Sequence, residues 1–219
     1  MFRLKNVLSP DELIGVRKQL AGSSWSDGRL TAGWQAKDVK HNQQISTDDE
    51  GLSSLTETIS AALNRHTEFQ FAARPKQLVP PLFSRYTPGM AYGDHVDDPI
   101  IRGMRTDLSL TLFLSDPESY EGGELVIETP SGSEATKLSA GDAILYPSTM
   151  IHRVEAVRSG ERLAAVTWVR SYIRDWHKRE ILLDLDIARR EIMHRHGKSH
   201  ELDLIAKATA NLMRDWAED

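Results

Sequence analysis

Between Lys76 and Ile173 the apolar residues of this chain recur at every second position, and no other feature restricts the fold as much. Leu108, Leu110, Leu112 and Leu114 alternate with Ser109, Thr111, Phe113 and Ser115, so an extended segment here has one aliphatic face and one mixed face. Leu125 and Ile127 follow a Gly122-Gly123 turn, Gly141-Asp142 precedes Ala143-Ile144-Leu145-Tyr146, and Arg162 to Ile173 reads as one long strand. Short strands separated by turn signals every roughly 8–12 residues predict an all-β sandwich or barrel. Among closed all-β architectures the jelly roll, or double-stranded β-helix, fits this pattern best.

On either side of this block the period is helical. Ser9 is a good N-cap, Pro10 suits the first helical position, and Glu12 completes a capping box ahead of an apolar stripe of Leu13, Val16 and Leu20 that Gly22 ends. Leu52, Leu55, Ile59, Ala62 and Leu63 predict a second helix over about Asp48–His66. The intervening residues 23–47 are polar, with Trp25 and Trp34 as the expected anchors. After Trp176 two stripes follow, one of Ile181, Leu182, Leu185, Ala188, Ile192 and Met193, the other of Leu202, Ile205, Leu212, Met213 and Trp216, broken at Gly197. A helical hairpin of this size cannot bury both faces by itself, so it is expected to dock on the barrel or to form a homo-oligomer through these helices. The expected organisation is mainly β with flanking helices: a domain over 1–175, comprising N-terminal helices (1–75) and a jelly-roll core (76–175), then a helical extension over 176–219.

Composition narrows the chemistry. A length of 219 residues suits one full domain with a small appendage. With no cysteine, any metal must be held by His, Asp or Glu, which favours iron, manganese or zinc. The net charge of −5 argues against a phosphate-tracking nucleic-acid binder. No apolar run has the length of a membrane span, and the N-terminus lacks a signal-peptide core, so the expected location is the cytoplasm.

Two short stretches carry the metal chemistry. In Tyr92-Gly93-Asp94-His95-Val96-Asp97-Asp98, His95 and Asp97 stand two apart, so on a strand both leave the same face, while Asp98 is sent to the other. His152, in Pro147-Ser148-Thr149-Met150-Ile151-His152, can add the third ligand of a 2-His-1-carboxylate iron(II) triad with open positions, the site of an oxygenase. A His-x-Asp triplet by itself occurs often by chance, and a lone His among apolar neighbours is commonly a core histidine bonded to backbone. Here the triplet is the only one among eight histidines, and Arg162 follows His152 at the head of an apolar strand with Ala164, Val166 and Trp168 on its own face. A guanidinium facing a barrel interior needs an anion, and its planar fork matches a carboxylate. A dicarboxylate cosubstrate chelating the metal at its other end would supply one.

The set Arg85-Tyr86-x-x-Gly89-x-x-Tyr92-x-x-His95-x-Asp97, Gly122-Gly123-Glu124-Leu125, Gly141-Asp142, His152 and Arg162 resembles the prolyl-hydroxylase-like iron(II)/2-oxoglutarate-dependent dioxygenases. Within them the chain is most similar to the PKHD-type hydroxylases, the PiuC/YbiX family, and the Trp176-His177-Lys178-Arg179-Glu180 start of the tail extends that likeness. The resemblance implies iron ligands at His95, Asp97 and His152, with Arg162 on the distal carboxylate of 2-oxoglutarate and Tyr86 placing its hydroxyl on the same group. It implies hydroxylation of a small-molecule or peptide substrate with succinate and CO2 as co-products, ascorbate as a reductant of the metal, and a link to iron uptake. One departure stands out: Val166 occupies a position where some relatives carry a supporting threonine. The rival readings are a non-catalytic metal- or sugar-binding jelly roll and a silent interaction module, neither of which needs the carboxylate clamp. Arg102 and Arg105 are candidates to meet an anionic substrate, against a solvated loop. The His194, His196 and His200 cluster reads more readily as a polar helix end than as a metal site.

Overall fold

A computed structural model describes residues 1–31, 33–34 and 36–218. The chain opens with strand β1 (Phe2–Leu4) and helix α1 (Pro10–Gly22), where the capping box forms as expected: Ser9 accepts from the Glu12 backbone and Glu12 accepts from the Ser9 backbone. Three short strands follow, β2 (Trp25–Asp27), β3 (Lys40–His41) and β4 (Gln43–Ile45). Helix α2 (Leu52–Arg65) buries Leu55, Ile59, Ala62 and Leu63, the predicted stripe, and starts later than the periodicity suggested. Asp49 explains the delay, because its carboxylate accepts from the backbone of Ser24 and Gly51 and is spent on holding the turn ahead of the helix. A further short helix, α3 (Thr67–Ala73), is capped by the His66 ring.

The strand block then runs β5 (Pro75–Leu78), β6 (Leu82–Tyr86), β7 (Ala91–His95), β8 (Ile100–Ile101), β9 (Met104–Arg105), β10 (Leu108–Phe113), β11 (Tyr120–Gly122), β12 (Leu125–Thr129), β13 (Gly132–Thr136), β14 (Ala143–Pro147), β15 (His152–Val154), β16 (Val157–Gly160) and β17 (Arg162–Ser171). Among the described residues these build a larger antiparallel sheet, ordered β1-β14-β10-β17-β6-β4-β2 with β5 added to β17, and a smaller one ordered β13-β12-β15-β7-β3. The result is the expected jelly roll.

Alternation along the central strands divides the core. Leu108, Leu110 and Leu112 of β10, Ala143 and Leu145 of β14, and Ala165 and Val169 of β17 pack under the helical layer with Leu55, Ile59 and Phe69. The opposite faces, with Phe113, Ile144 and Tyr146, meet Leu125, Ile127 and Val154 of the smaller sheet. A Leu fully buried in such a layer contributes about 1.5–3 kcal/mol. The larger sheet is therefore held rigidly from outside, and its inner face is left to carry function.

The tail forms α4 (Trp176–His196) and α5 (His200–Trp216), with Gly197 between them. It docks on the helical layer of its own chain: Leu182 is fully buried, Asp186 pairs with Arg74, and Trp176 packs against Phe2. The predicted α4 stripe is only half right, since Ile181 and Met193 are exposed while the polar Arg179 and Asp186 are buried. Arg179 compensates by donating to the carbonyls of Ile173 and Arg174. Trp25 is a partly buried neighbour of the core, but Trp34 is 87% exposed and anchors nothing. The reading of residues 23–47 also passed over β2–β4, whose polar alternation does not show the apolar signature of a strand.

Candidate metal centre and its cavity

The smaller sheet places two imidazoles side by side. β7 and β15 are hydrogen-bonded neighbours, and His95 lies opposite His152 in their register. Opposed residues of an antiparallel pair project to the same face, which brings the ring centroids to 4.2 Å. Each ring is fixed by its Nδ1, which lies 2.8 Å from the Gly93 carbonyl for His95 and 3.1 Å from the Met150 carbonyl for His152. A carbonyl oxygen can only accept, so both rings carry their proton on Nδ1 and present the Nε2 lone pair to the interior. Tyr92 stacks on His95 with centroids 3.6 Å apart. Burial, then the adjacent His152, pushes the His95 pKa down to about 4, so the ring is neutral and available as a ligand near pH 7.

Asp97 joins them by a route that strand alternation does not supply, because β7 ends at His95. The Ser109 hydroxyl of β10, projecting from the facing sheet, donates to the Asp97 carboxylate. Ser148 lies 2.8 Å from Ser109 and completes the tether. The carboxylate comes to 3.8 Å from His152 Nε2. One ligand atom from each of His95, Asp97 and His152 lies within 4.8 Å of the others, a spacing that one ion can draw together. Two imidazole nitrogens and one carboxylate on one side of an ion match the donor set of a non-haem iron(II) centre. Asp98 lines the cavity but stands outside this group.

The triad opens into a cavity of about 420 Å³ between the two sheets. Arg162 lines its far wall at 1% exposure, and its Nε and Nη2 are buried without a hydrogen-bond partner. Those two nitrogens donate along one edge of the guanidinium, so the orphaned edge fits a carboxylate held by both oxygens. Space for the side chain depends on Gly123, whose φ is +66° and where an added Cβ would come within 3.0 Å of Arg162 Cδ and of the Tyr120 ring. Tyr86 is opposite Arg162 in the β6–β17 register, with its ring 5.1 Å from the guanidinium carbon. Burial pushes the Tyr86 pKa up, so its hydroxyl keeps its proton and can donate into the cavity it lines. Val166 and Trp168 share this wall, as the alternation along β17 predicted, and Val166 brings no hydroxyl to it.

Other expectations fare differently. Arg105 is engaged by Asp107 and Glu218 and is a structural cation rather than a substrate contact. Arg102 sits exposed in the tight turn between β8 and β9 at the cavity mouth, with φ +51°. His194, His196 and His200 are exposed at the facing ends of α4 and α5 and form no metal-competent group among the described residues. Sequence reading gives Ser109 only as part of the strand alternation and Gly123 only as part of a turn and motif. It assigns nothing to the buried polar residues Lys40, Asn42 and Gln44, whose legible signal is polar side chains at every second position.

Residues 81–170 match the model of the 2OG-Fe(II) oxygenase superfamily. A PKHD-type hydroxylase of Picosynechococcus sp. is 50% identical over 217 residues, covering 99% of each chain. Among solved structures, a prolyl hydroxylase from Trichoplax adhaerens, in complex with a hypoxia inducible factor oxygen degradation domain peptide fragment, superposes with a TM-score of 0.55 at 16% identity. It covers 83% of this chain and 86% of its own. A Pseudomonas putida prolyl-4-hydroxylase gives a TM-score of 0.52 at 20% identity, over 78% of this chain and 91% of that one. These structural likenesses speak to the fold.

Proposed function

The chain belongs to the PKHD-type hydroxylases of the 2OG-Fe(II) oxygenase superfamily, which makes it a 2-oxoglutarate-dependent dioxygenase, and from that premise we propose which of its residues serve the reaction. His95, Asp97 and His152 would hold iron(II) on one side only, leaving the cavity side for small ligands. Arg162 would take the distal carboxylate of 2-oxoglutarate on its Nε–Nη2 edge, with the Tyr86 hydroxyl as a second donor. The iron and cosubstrate supply dioxygen activation, with hydroxylation of a C–H bond coupled to conversion of 2-oxoglutarate to succinate and CO2.

The protein's own part is orientation. Gly93 and Met150 carbonyls hold the imidazole tautomers, Ser109 holds the carboxylate, and the aromatic rings of Tyr92 and Tyr146 pack against the histidines. The sheets exclude bulk water from the reacting volume. The observation that carries this reading is Arg162: a buried cation with an orphaned bidentate edge is costly to keep unless an anion meets it in the same cavity as the triad. A non-catalytic jelly roll has no use for it.

In this reading residues 1–175 form the oxygenase domain and 176–219 a helical extension. The substrate is a small molecule or a peptide, ascorbate keeps the metal in the iron(II) state, the cell compartment is the cytoplasm, and the physiological setting is iron uptake. Among the described residues no helix is long and apolar enough to cross a membrane. The test is succinate formation from 2-oxoglutarate by the iron(II)-loaded protein, with and without ascorbate, before any substrate is known. Absence of both succinate and 2-oxoglutarate binding would refute the reading.

A further inference from the structure

Lys40, Asn42 and Gln44 alternate along the short segment that leaves the smaller sheet at β3 and enters the larger one at β4. All three are more than nine-tenths buried, at 6%, 2% and 5% exposure, and all three line the cavity of the triad. Of their neighbours, His41 is exposed and Gln43 is half-buried, accepting a hydrogen bond from Arg85. This polar ribbon bridges the two sheets, and neither the metal nor the Arg162 clamp accounts for it.

The ribbon is under-satisfied. Lys40 Nζ has a single hydrogen-bond partner among the described residues, the Thr31 hydroxyl at 3.1 Å, and no carboxylate in ion-pair range. Thr31 in turn donates to Gln44 at 2.5 Å. Neither polar atom of the buried Asn42 side chain makes a hydrogen bond of full geometry, although the amide interacts with the Tyr86 hydroxyl and its oxygen packs on Gly28. Lys40 stands opposite Tyr92 in the β3–β7 register, with its ammonium 5.2 Å from the ring that stacks on His95, and so lies on the metal side of the cavity. Burial lowers the Lys40 pKa to about 8, against the pull of Asp97 and Asp27.

Charge balance indicates what is missing. The iron ion with Asp97 and Arg162 leaves two positive charges, which the two carboxylates of 2-oxoglutarate neutralise. At the mouth, exposed Asp98 and Arg102 offset each other in solvent. Lys40 remains as a buried cation with no ion-pair partner among the described residues, a costly arrangement unless a further anion enters. Val96 and Ile100, both about half exposed, line the same mouth and offer apolar cover to the body of whatever enters.

We propose that Lys40, supported by Thr31, Asn42 and Gln44, is a substrate-anchoring site, and that the substrate carries a carboxylate on an otherwise apolar unit. This rests on the oxygenase reading above and deepens it by naming the substrate class. The ammonium pairs with the substrate carboxylate, and Asn42 keeps the same wall polar. Lys40 is thus a specificity determinant rather than a metal or cosubstrate ligand.

The test uses the full chain loaded anaerobically with iron(II) and 2-oxoglutarate, titrated calorimetrically with matched probes: N-acetyl-L-proline against its primary amide, and isovalerate against isovaleramide. The wild type should bind at least one acid more tightly than its amide by about 10- to 150-fold, the range expected for one hydrogen bond to a charged group. Lys40→Met, which removes a buried charge at similar volume, should fold and should level acid and amide, with 2-oxoglutarate affinity unchanged within about twofold; Lys40→Ala serves as a second variant. Absence of any acid preference in the wild type overturns the proposal, and so does a preference that survives in Lys40→Met. A parallel fall in 2-oxoglutarate affinity in the variant also overturns it, by moving Lys40 into the cosubstrate site. Failure of wild-type protein to bind 2-oxoglutarate, measured before any probe is added, would instead sink the oxygenase reading on which the proposal rests.

Discussion

Replacing Arg162 by Ala separates the cosubstrate clamp from the metal triad. The guanidinium is 1% exposed and its Nε–Nη2 edge is free, so a carboxylate arriving there forms a buried pair with two parallel hydrogen bonds. Removing one partner of such a pair costs about 3–5 kcal/mol. At about 1.4 kcal/mol per decade this is a roughly 100- to 4,000-fold loss of 2-oxoglutarate affinity. Iron affinity without 2-oxoglutarate should hold, because Arg162 is not among the groups that gather at His95, Asp97 and His152. Arg162→Lys should fall between, keeping the charge but losing the planar fork. The assay is 2-oxoglutarate titration of the anaerobic iron(II) protein, followed through its metal-to-ligand charge-transfer absorption. Wild-type affinity in Arg162→Ala would remove Arg162 from the site, and the whole clamp argument with it. Loss of iron together with 2-oxoglutarate would point to a disturbed barrel, which Arg162→Met, with its better-filled cavity, would expose by thermal melting.

Ser109→Ala removes the donor that holds Asp97, and iron(II) affinity measured by competition with a chelator should fall about 10- to 100-fold while the melting temperature changes little. Gly123→Ala puts a Cβ at a φ of +66° within 3.0 Å of Arg162 Cδ, so it should weaken 2-oxoglutarate binding while leaving iron binding intact; an unchanged 2-oxoglutarate affinity would show that Arg162 has other room. In iron-free protein, His95 is held below its ordinary pKa of 6.5, at about 4, so its contribution to stability is complete above 6.5 and is lost as pH falls through about 4. Denaturation midpoints measured across that window with a chelator present should slope less in His95→Gln. Truncation after Asp175 uncovers the faces that Leu182, Trp176 and Asp186 cover, and light scattering should detect association of the shortened chain.

The parts of this molecule that sequence reading found are those where one local rule and the tertiary structure agree. The capping box at Ser9 and Glu12 is satisfied within three residues and does not depend on the remainder of the fold. The alternation on β10 is legible because its two faces meet different surroundings, aliphatic packing under the helices on one side and the cavity on the other. Arg162 was found by cost: a cation in an apolar strand is unusual enough to demand a partner.

What escaped has the opposite character, being set by surroundings that lie far off in the chain. Asp97 reaches the histidines through Ser109, twelve residues on and in the facing sheet. The expectation that it shares a strand face with His95 is incomplete, since the strand stops at His95 and the serine does the orienting. Trp34 misled because indole area usually finds cover, yet this one is 87% exposed. Lys40, Asn42 and Gln44 escaped because polar alternation in a polar stretch looks like solvated loop. Only the pairing of β3 with the smaller sheet and β4 with the larger one turns that side of the segment inward. A buried lysine is therefore visible only after the sheets are assembled, and the same assembly that hides it from solvent is what makes its missing counter-charge informative about the substrate.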